Sequence, residues 1–379
     1  MNQDKGRFVF LFLGCDNLHL MNEIGLFPYY LKKFYGVSGS VLTFNHGPYP
    51  YLENELKGLE IEFLGKTKRW FKFHTSIIKY LFLNSKRIDV FCVKTLTWEN
   101  LIYLFIYKIL NPKGKSYLKL DTDLGIIKNA MLRYPFNRGL YFFLFNKVDL
   151  FSVESLSVDR KLRKSYPGIF NKRLEFIPNT IYIYDNDVDI KIEKEKIILF
   201  IGDVGSKVKA TAILVDAFIK LGRKDWSLFL VGPICDGFEK FLVERFEKYP
   251  NFRDKIVLFG KLQDRRFINN LYDRVAIFCL PSLSESFGIV MIEAASRGCY
   301  LITSELTAAL DITNNWTMGS KIRPGNFEDL LDVLKISTSP EKFGEILNDG
   351  EKLSNYFKSN YSPEVVISRL YNNLFLNTE

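Results

Sequence analysis

The 379-residue sequence has only five cysteines and three histidines, and no apolar run approaches the length that crosses a bilayer. A membrane-spanning helix needs about 18–20 such residues. The longest candidates, Leu101 to Leu110 and Leu140 to Phe145, are short, and Lys108 interrupts the first. The amino terminus, Met1 to Arg7, leads into six apolar residues before Gly14, with no small-residue cleavage site, so no secretory signal is expected. Cys15, Cys92, Cys235, Cys279 and Cys299 are odd in number, scattered and without C-x-x-C spacing. That usage fits a reduced, cytosolic chain with buried thiols rather than a disulfide framework. Short internal repeats and low-complexity tracts are absent. So are G-x-G-x-x-G and G-x4-G-K-[ST]: Gly202-Asp-Val-Gly205 has the wrong spacing for a dinucleotide fingerprint.

What is present describes a globular protein. Hydrophobic residues make up 47% and charged residues 25%, ordinary values for a folded soluble chain. The length exceeds what one core usually serves, so two domains are the default. A formal charge of +9 suits nucleic acid, anionic lipid or phosphorylated substrates alike, and composition does not choose among them.

Arg7 to Leu13 is an apolar run that reads as a buried parallel strand, followed by a helix from about Glu23 to Phe34. Further strands are expected at 40–44, 60–64, 88–93, 116–120 and 149–153, with helices near 74–84, 99–110 and 137–146. Strands alternating with helices argue a parallel α/β sheet. The charged stretch from Asp185 to Lys196 reads as an exposed linker. The pattern restarts at 196–201 and runs through helices at 210–221, 238–248, 265–272 and 327–334 to a last helix from Pro363 to about Leu376. The expected division is a first domain over 1–182, a linker over 183–195, a second domain over 196–360 and a terminal helix over 361–379.

The chain's chemistry concentrates at Pro281-Ser-Leu-Ser-Glu-Ser-Phe-Gly-Ile-Val-Met-Ile-Glu-Ala-Ala-Ser-Arg-Gly298. An apolar strand ends there, and a helix from Gly288 to Arg297 begins, with Gly298 as its left-handed stop. Ser284 and Ser286 are placed to accept the first free N–H groups. A helix start presents unpaired N–H groups and a positive dipole end, which suits an anion. Glu285 and Glu293 flank that end, and carboxylates there suit the hydroxyls of a sugar or ribose.

The string Pro-Ser-x3-Glu-Ser-Phe-Gly-x4-Glu-Ala-x3-Gly resembles the E-x7-E motif of retaining GT-B glycosyltransferases, in particular glycosyltransferase family 4. The resemblance implies two Rossmann-like doubly wound domains facing across a cleft, with the C-terminal helix returning to the first domain. It implies that Glu285 contacts the transferred sugar, that Glu293 holds the donor ribose, and that Ser286, Phe287, Gly288 and Ile289 border the donor. In that family a Gly-Arg…Lys-Gly loop opens the second domain and holds the diphosphate. Here the lysine falls on Lys209 and the arginine position on Asp203, a departure. Asp203 beside a diphosphate would repel it by roughly 1–4 kcal/mol at 4 Å, so it must point away or Lys207 must compensate. Lys207 and Lys209 are otherwise a solvated loop pair. The segment Lys255 to Leu262 matches the strand and turn that face the nucleotide base, through backbone groups at Gly260 to Leu262.

In the first domain, Asn22 and Gly25 stand where the family has a glycine-rich loop near donor phosphate or acceptor. The family's histidine after a middle strand is missing, and Asp121 occupies the matching position. It either orients the acceptor or reacting sugar or is a plain strand-end turn residue. Asp121-Thr-Asp123 also looks like the D-x-D metal motif of GT-A transferases, a reading set aside because everything downstream fits a metal-independent plan with no cofactor. The stretch from Lys66 to Lys79 interleaves cations with aromatics and fits an anionic membrane surface or a solvated face. Nucleic acid is not expected, because no binding fold accompanies it.

The resemblance therefore implies a glycosyltransferase that moves a sugar from a nucleotide-diphosphate sugar to a hydroxyl of a glycan or lipid-linked acceptor. The expected setting is bacterial cell-surface polysaccharide or glycoconjugate synthesis, in the cytoplasm or on the inner face of its membrane. A non-catalytic nucleotide-sugar-binding protein, a nucleotide-sugar epimerase or hydrolase of the same fold, and a metal-dependent transferase are the competing readings.

Overall fold

The structure, a computed structural model, describes residues 6–65, 69–70, 73–121, 138–184 and 192–376. The chain divides into two compact units: Met1–Asn186 with Tyr361–Glu379, and Asp187–Asn360.

Unit 1 is built on β1 (Arg7–Leu11), α1 (Glu23–Tyr35), β2 (Ser38–Thr43), β3 (Glu60–Phe63), α2 (Thr75–Asn84), β4 (Val90–Lys94), α3 (Trp98–Leu110), β5 (Lys115–Leu120), α4 (Arg138–Phe145), β6 (Leu150–Val153) and β7 (Leu174–Phe176). These seven strands form one parallel sheet in the order β3-β2-β1-β4-β5-β6-β7. Alternation along β1 explains the two-sided core. Val9 and Leu11 pack with Ile77 and Leu81 of α2, Leu104 of α3 and Leu144 of α4. Phe8 and Phe10 pack on the other side, with Ile24 and Phe27 of α1.

Unit 2 is built on β8 (Glu195–Ile201), α5 (Thr211–Leu221), β9 (Ser227–Val231), β10 (Ile256–Gly260), α6 (Arg265–Arg274), β11 (Val275–Leu280), α7 (Ile289–Ser296), β12 (Tyr300–Ser304), β13 (Gly319–Ile322) and α8 (Pro340–Asn360). Its sheet is parallel in the order β10-β9-β8-β11-β12-β13. In both sheets strand order reverses once, between β1 and β4 in unit 1 and between β8 and β11 in unit 2. In open α/β sheets ligands settle beyond the strand C-termini at such a reversal.

After unit 2 the chain returns as α9 (Pro363–Tyr371) to unit 1. Val366, Ile367 and Leu370 join the α1 side of that core, and Tyr371 stacks on Tyr35 with ring centroids 3.9 Å apart. No helix among the described residues is long and apolar enough to cross a membrane. All five cysteines are unpaired, and four of them are buried.

Among the described helices longer than six residues, two escaped the sequence reading, Leu156–Ser165 and α8. The second is the longest of the described chain, at 21 residues. Gly344 and Gly350 weaken its helical signal, since glycine costs about 1 kcal/mol against alanine. Gly350 has a packing reason: a Cβ there would stand 2.2 Å from the Gly298 carbonyl oxygen. The glycine lets α8 cross the turn that ends α7, and Ser354 Oγ ties the two helices by donating to the Ser296 carbonyl at 3.0 Å.

Candidate functional site

The motif strand β11 is buried at all six positions. The chain then turns through Pro281 to Phe287 and enters α7 at Gly288, whose backbone is left-handed with φ 74°. Neither Ser284 nor Ser286 is the cap of this helix, contrary to the sequence reading; the cap is Gly288, which has no side chain to bond the first N–H groups. A positive φ suits glycine and disfavours serine, and the turn runs on past both serines. The helix tip therefore meets an incoming group with N–H donors that its cap residue does not occupy. Ser286 is exposed and the Phe287 side chain is buried. Gly298 does end the helix in the left-handed region, at φ 71°.

The loop after β8 lies against this turn. The Leu283 N–H donates to the Val208 carbonyl at 2.7 Å. Ala210, with φ 52°, takes a backbone conformation rare for a residue with a Cβ as the chain turns into α5. Lys209 Nζ sits 2.5 Å from Glu285 Oε1, and Ser282 Oγ donates to the same oxygen at 2.8 Å. Lys207 and Asp203 are both exposed on the same loop. Thus the strand-order reversal gathers the lysine and the first acid of the motif from two separate loops.

Glu293 lies little more than one turn into α7 and is 6% exposed. Two partners that sequence reasoning missed hold it. Arg265, the first residue of α6, is ion-paired to Oε1, and Tyr272 OH donates to Oε2 at 3.1 Å. Tyr272 is fully buried; burial and the neighbouring Glu293 carboxylate push its pKa well up, so it remains a proton donor. Arg265 and Tyr272 sit at the start and end of one amphipathic helix, where they read as surface charge and core. Gly260 ends β10 in the left-handed region, and its carbonyl already accepts the Gly232 N–H at 2.9 Å. Leu262 is half-buried just beyond.

Unit 1 has its own charged group at the strand C-termini. Lys94 ends β4, and its Nζ lies 2.5 Å from Glu23 Oε1, at the start of α1, and 3.0 Å from Asp121 Oδ2, just after β5. Burial works against the Lys94 charge, but the two carboxylates outweigh it and raise its pKa. Deeper, Lys119 is fully buried and lies 3.1 Å from Glu154. Burial nevertheless dominates at Glu154 and, with Glu23 and Asp121 adding repulsion, pushes its pKa up to about 7. Glu23 Oε2 is buried and has no hydrogen-bond partner among the described residues. Of this group the sequence reading picked out only Asp121. The available signal was a lysine near the end of two strands expected to be buried on both faces, Lys94 and Lys119.

Asn22 precedes α1 without capping it through its side chain. Gly25 has a packing role, since a Cβ there would meet the Leu20 carbonyl oxygen at 2.2 Å. Asp123 lies outside the described residues, as do 66–68 and 71–72 of the basic-aromatic stretch. Among the described residues no group of three or more His, Cys, Asp or Glu is placed to hold a metal ion.

Residues 195–336 match the family model described as Glycosyl transferases group 1. An uncharacterized glycosyltransferase of Methanocaldococcus jannaschii, MJ1607, is 25% identical over 192 residues, 46% of this chain and 48% of that protein. An uncharacterized 41.2 kDa protein in the cps region of Klebsiella pneumoniae is 23% identical over 270 residues, 69% of this chain and 62% of that protein. The chain thus spans between about half and three-fifths of the length of these curated relatives. Among solved structures, Anabaena Alr3699/HepE in complex with UDP and glucose superposes with a TM-score of 0.70 at 13% identity, covering 97% of this chain and 99% of that one. The chain has the GT-B glycosyltransferase fold, and its second unit carries the glycosyl transferases group 1 match.

Proposed function

We propose that this protein is a retaining glycosyltransferase, of the family 4 kind, that moves a sugar from a nucleotide-diphosphate sugar to a hydroxyl of a glycan or lipid-linked acceptor. The observation that carries the reading is the meeting of Lys209, Glu285 and Ser282 beside a helix tip whose cap is a glycine. Lys209 and the α7 N–H groups neutralise the leaving diphosphate. Glu285 accepts hydroxyls of the transferred sugar. Glu293, steadied by Tyr272, accepts those of the ribose. The bond from the anomeric carbon to the diphosphate oxygen breaks as the acceptor oxygen bonds to the same face. The acceptor proton passes to the departing diphosphate. Lys207, Ser286 and the backbone from Gly260 to Leu262 border the donor, and Asp121 orients the acceptor hydroxyl. With cations and a helix dipole meeting the charge, the transfer proceeds without a metal ion, and activity survives EDTA.

The UDP and glucose bound in HepE support UDP-glucose as the first donor to try. The cps-region relative supports a place in surface polysaccharide synthesis. The test is a thermal-shift screen of nucleoside diphosphates and their sugars on the wild type, Glu293→Ala and Glu293→Gln. A ligand at a hundred times its Kd stabilises the native state by about 2.7 kcal/mol. The wild type should respond to at least one nucleotide sugar, and both variants should respond far less. Equal shifts in all three proteins would remove Glu293 from the ribose. No shift with any nucleotide in the wild type would refute the donor reading.

A further inference from the structure

Unit 1 presents a surface unlike that of a solvated helical layer. Its helices α2, α3 and α4 lie side by side over one face of the sheet, sharing the core of Ile77, Leu81, Leu104 and Leu144. Their outward side is apolar as well. Phe82, Leu83, Ile109, Leu140, Phe142 and Phe143 are between 45% and 70% exposed. Every residue of α4 after Gly139 is apolar. A helix apolar all round is normally buried, and contiguous exposed apolar patches mark interaction sites. The patch is continuous from α3 to α4, where the rings of Phe105 and Phe143 meet edge to face with centroids 5.5 Å apart.

Charge around the patch is predominantly positive. The three helices carry a single acid, Glu99, in the first turn of α3. Lys79, Lys86, Arg87, Lys113 and Lys147 are exposed around them, and no salt bridge engages any of the five among the described residues. The nearby acids are committed elsewhere: Asp89 bonds the Arg7 N–H, and Asp149 binds Lys108 and Ser116. Lys147 Nζ lies 5.5 Å from the centre of the Phe143 ring, so cation and ring sit together as in an interfacial anchor.

We propose that the outer face of α2, α3 and α4 docks on a lipid bilayer surface bearing anionic headgroups. Its aromatic and aliphatic side chains enter the headgroup boundary while the exposed cations meet lipid phosphates. The feature stands independently of the transferase reading, since none of these residues belongs to the donor site. It places the contact on three helices, the first of which, α2, shares Thr75 to Lys79 with the basic-aromatic stretch.

Co-sedimentation of the full chain with vesicles tests it, using phosphatidylcholine alone and phosphatidylcholine with one third phosphatidylglycerol. The mixed vesicles should bind at least about tenfold more protein, and salt should weaken that binding. A Leu83→Asp, Phe142→Asp double variant should lose about tenfold or more on the mixed vesicles. A Lys79→Glu, Lys86→Glu double variant should lose the preference for phosphatidylglycerol. All four side chains are exposed, so unchanged melting curves verify the fold of each variant. Failure of the wild type to sediment with mixed vesicles would overturn the proposal. So would vesicle binding that neither double variant alters. If the wild type instead forms dimers in analytical ultracentrifugation that the Leu83→Asp, Phe142→Asp variant dissociates, without vesicle binding, the face serves a second copy of the chain and the proposal also fails.

Discussion

Gly350 and Gly344 lie in the same helix and should respond in opposite directions to alanine. A Cβ at Gly350 would stand 2.2 Å from the Gly298 carbonyl oxygen and 3.1 Å from its carbon. Ordinary C···O contacts lie at about 3.3–3.6 Å, so one backbone must retreat by about 1 Å, and no rotamer relieves it. Forced overpacking of this kind costs about 1–3 kcal/mol. The better helix propensity of alanine returns up to about 1 kcal/mol. The net is destabilising by up to about 2 kcal/mol, and a domain of this size loses about 2–4 °C per kcal/mol. At Gly344 an added Cβ meets nothing within 4 Å, so only the propensity gain remains, about 0.5–1 kcal/mol. Scanning fluorimetry should therefore place Gly350→Ala below the wild type and Gly344→Ala above it. Because Gly298 closes the helix that carries Glu293, Gly350→Ala should also weaken nucleotide binding while Gly344→Ala leaves it alone. A Gly350→Ala midpoint at or above that of Gly344→Ala would refute the close-approach argument.

Lys209→Met removes the cation facing Glu285 and should lower kcat/KM for sugar transfer about a hundredfold or more. Its cost in stability should stay within about 1 kcal/mol, as for other partly exposed ion pairs; a lowered melting temperature with kcat/KM unchanged would reverse the assignment. Glu154 titrates near 7 in the folded chain against about 4.3 when unfolded. Between those values the native state holds the extra proton, so this group's contribution to stability falls as pH rises through the window. Glu154→Gln removes that fall, and its melting point relative to the wild type should climb between about pH 5 and about pH 7.5. Parallel curves would show that Glu154 is ionised throughout.

Most strands and helices were legible because buried parallel strands are apolar runs and the segments between them repeat at helical spacing; the order of the strands was not, and β13, Gly319-Ser-Lys-Ile322, is too polar to read as a buried run. The same logic located the motif turn, where β11 ends and α7 begins. It misjudged the cap, since serines near a helix start are common caps and only the backbone angle of Gly288 distinguishes this turn. Arg265 and Tyr272 were not legible. Their partnership with Glu293 joins α6 to α7, and periodicity within one helix says nothing about which acid of another it faces. The pairing of Lys94 with both Glu23 and Asp121 depends on three strands lying next to one another out of chain order. The longest helix was hidden by Gly350, which weakens local propensity and earns its place only through contact with Gly298.

The return of α9 makes unit 2 an insertion within unit 1. Val366, Ile367, Leu370 and Leu374 fill the same apolar layer as Phe8 and Phe27, yet a ribosome makes them hundreds of residues later. Unit 2, continuous from Asp187 to Asn360, has its whole sheet available before they emerge. During synthesis the amino-terminal sheet must wait with one flank uncovered, and shortening the chain by its last 19 residues would wound the half that was translated first.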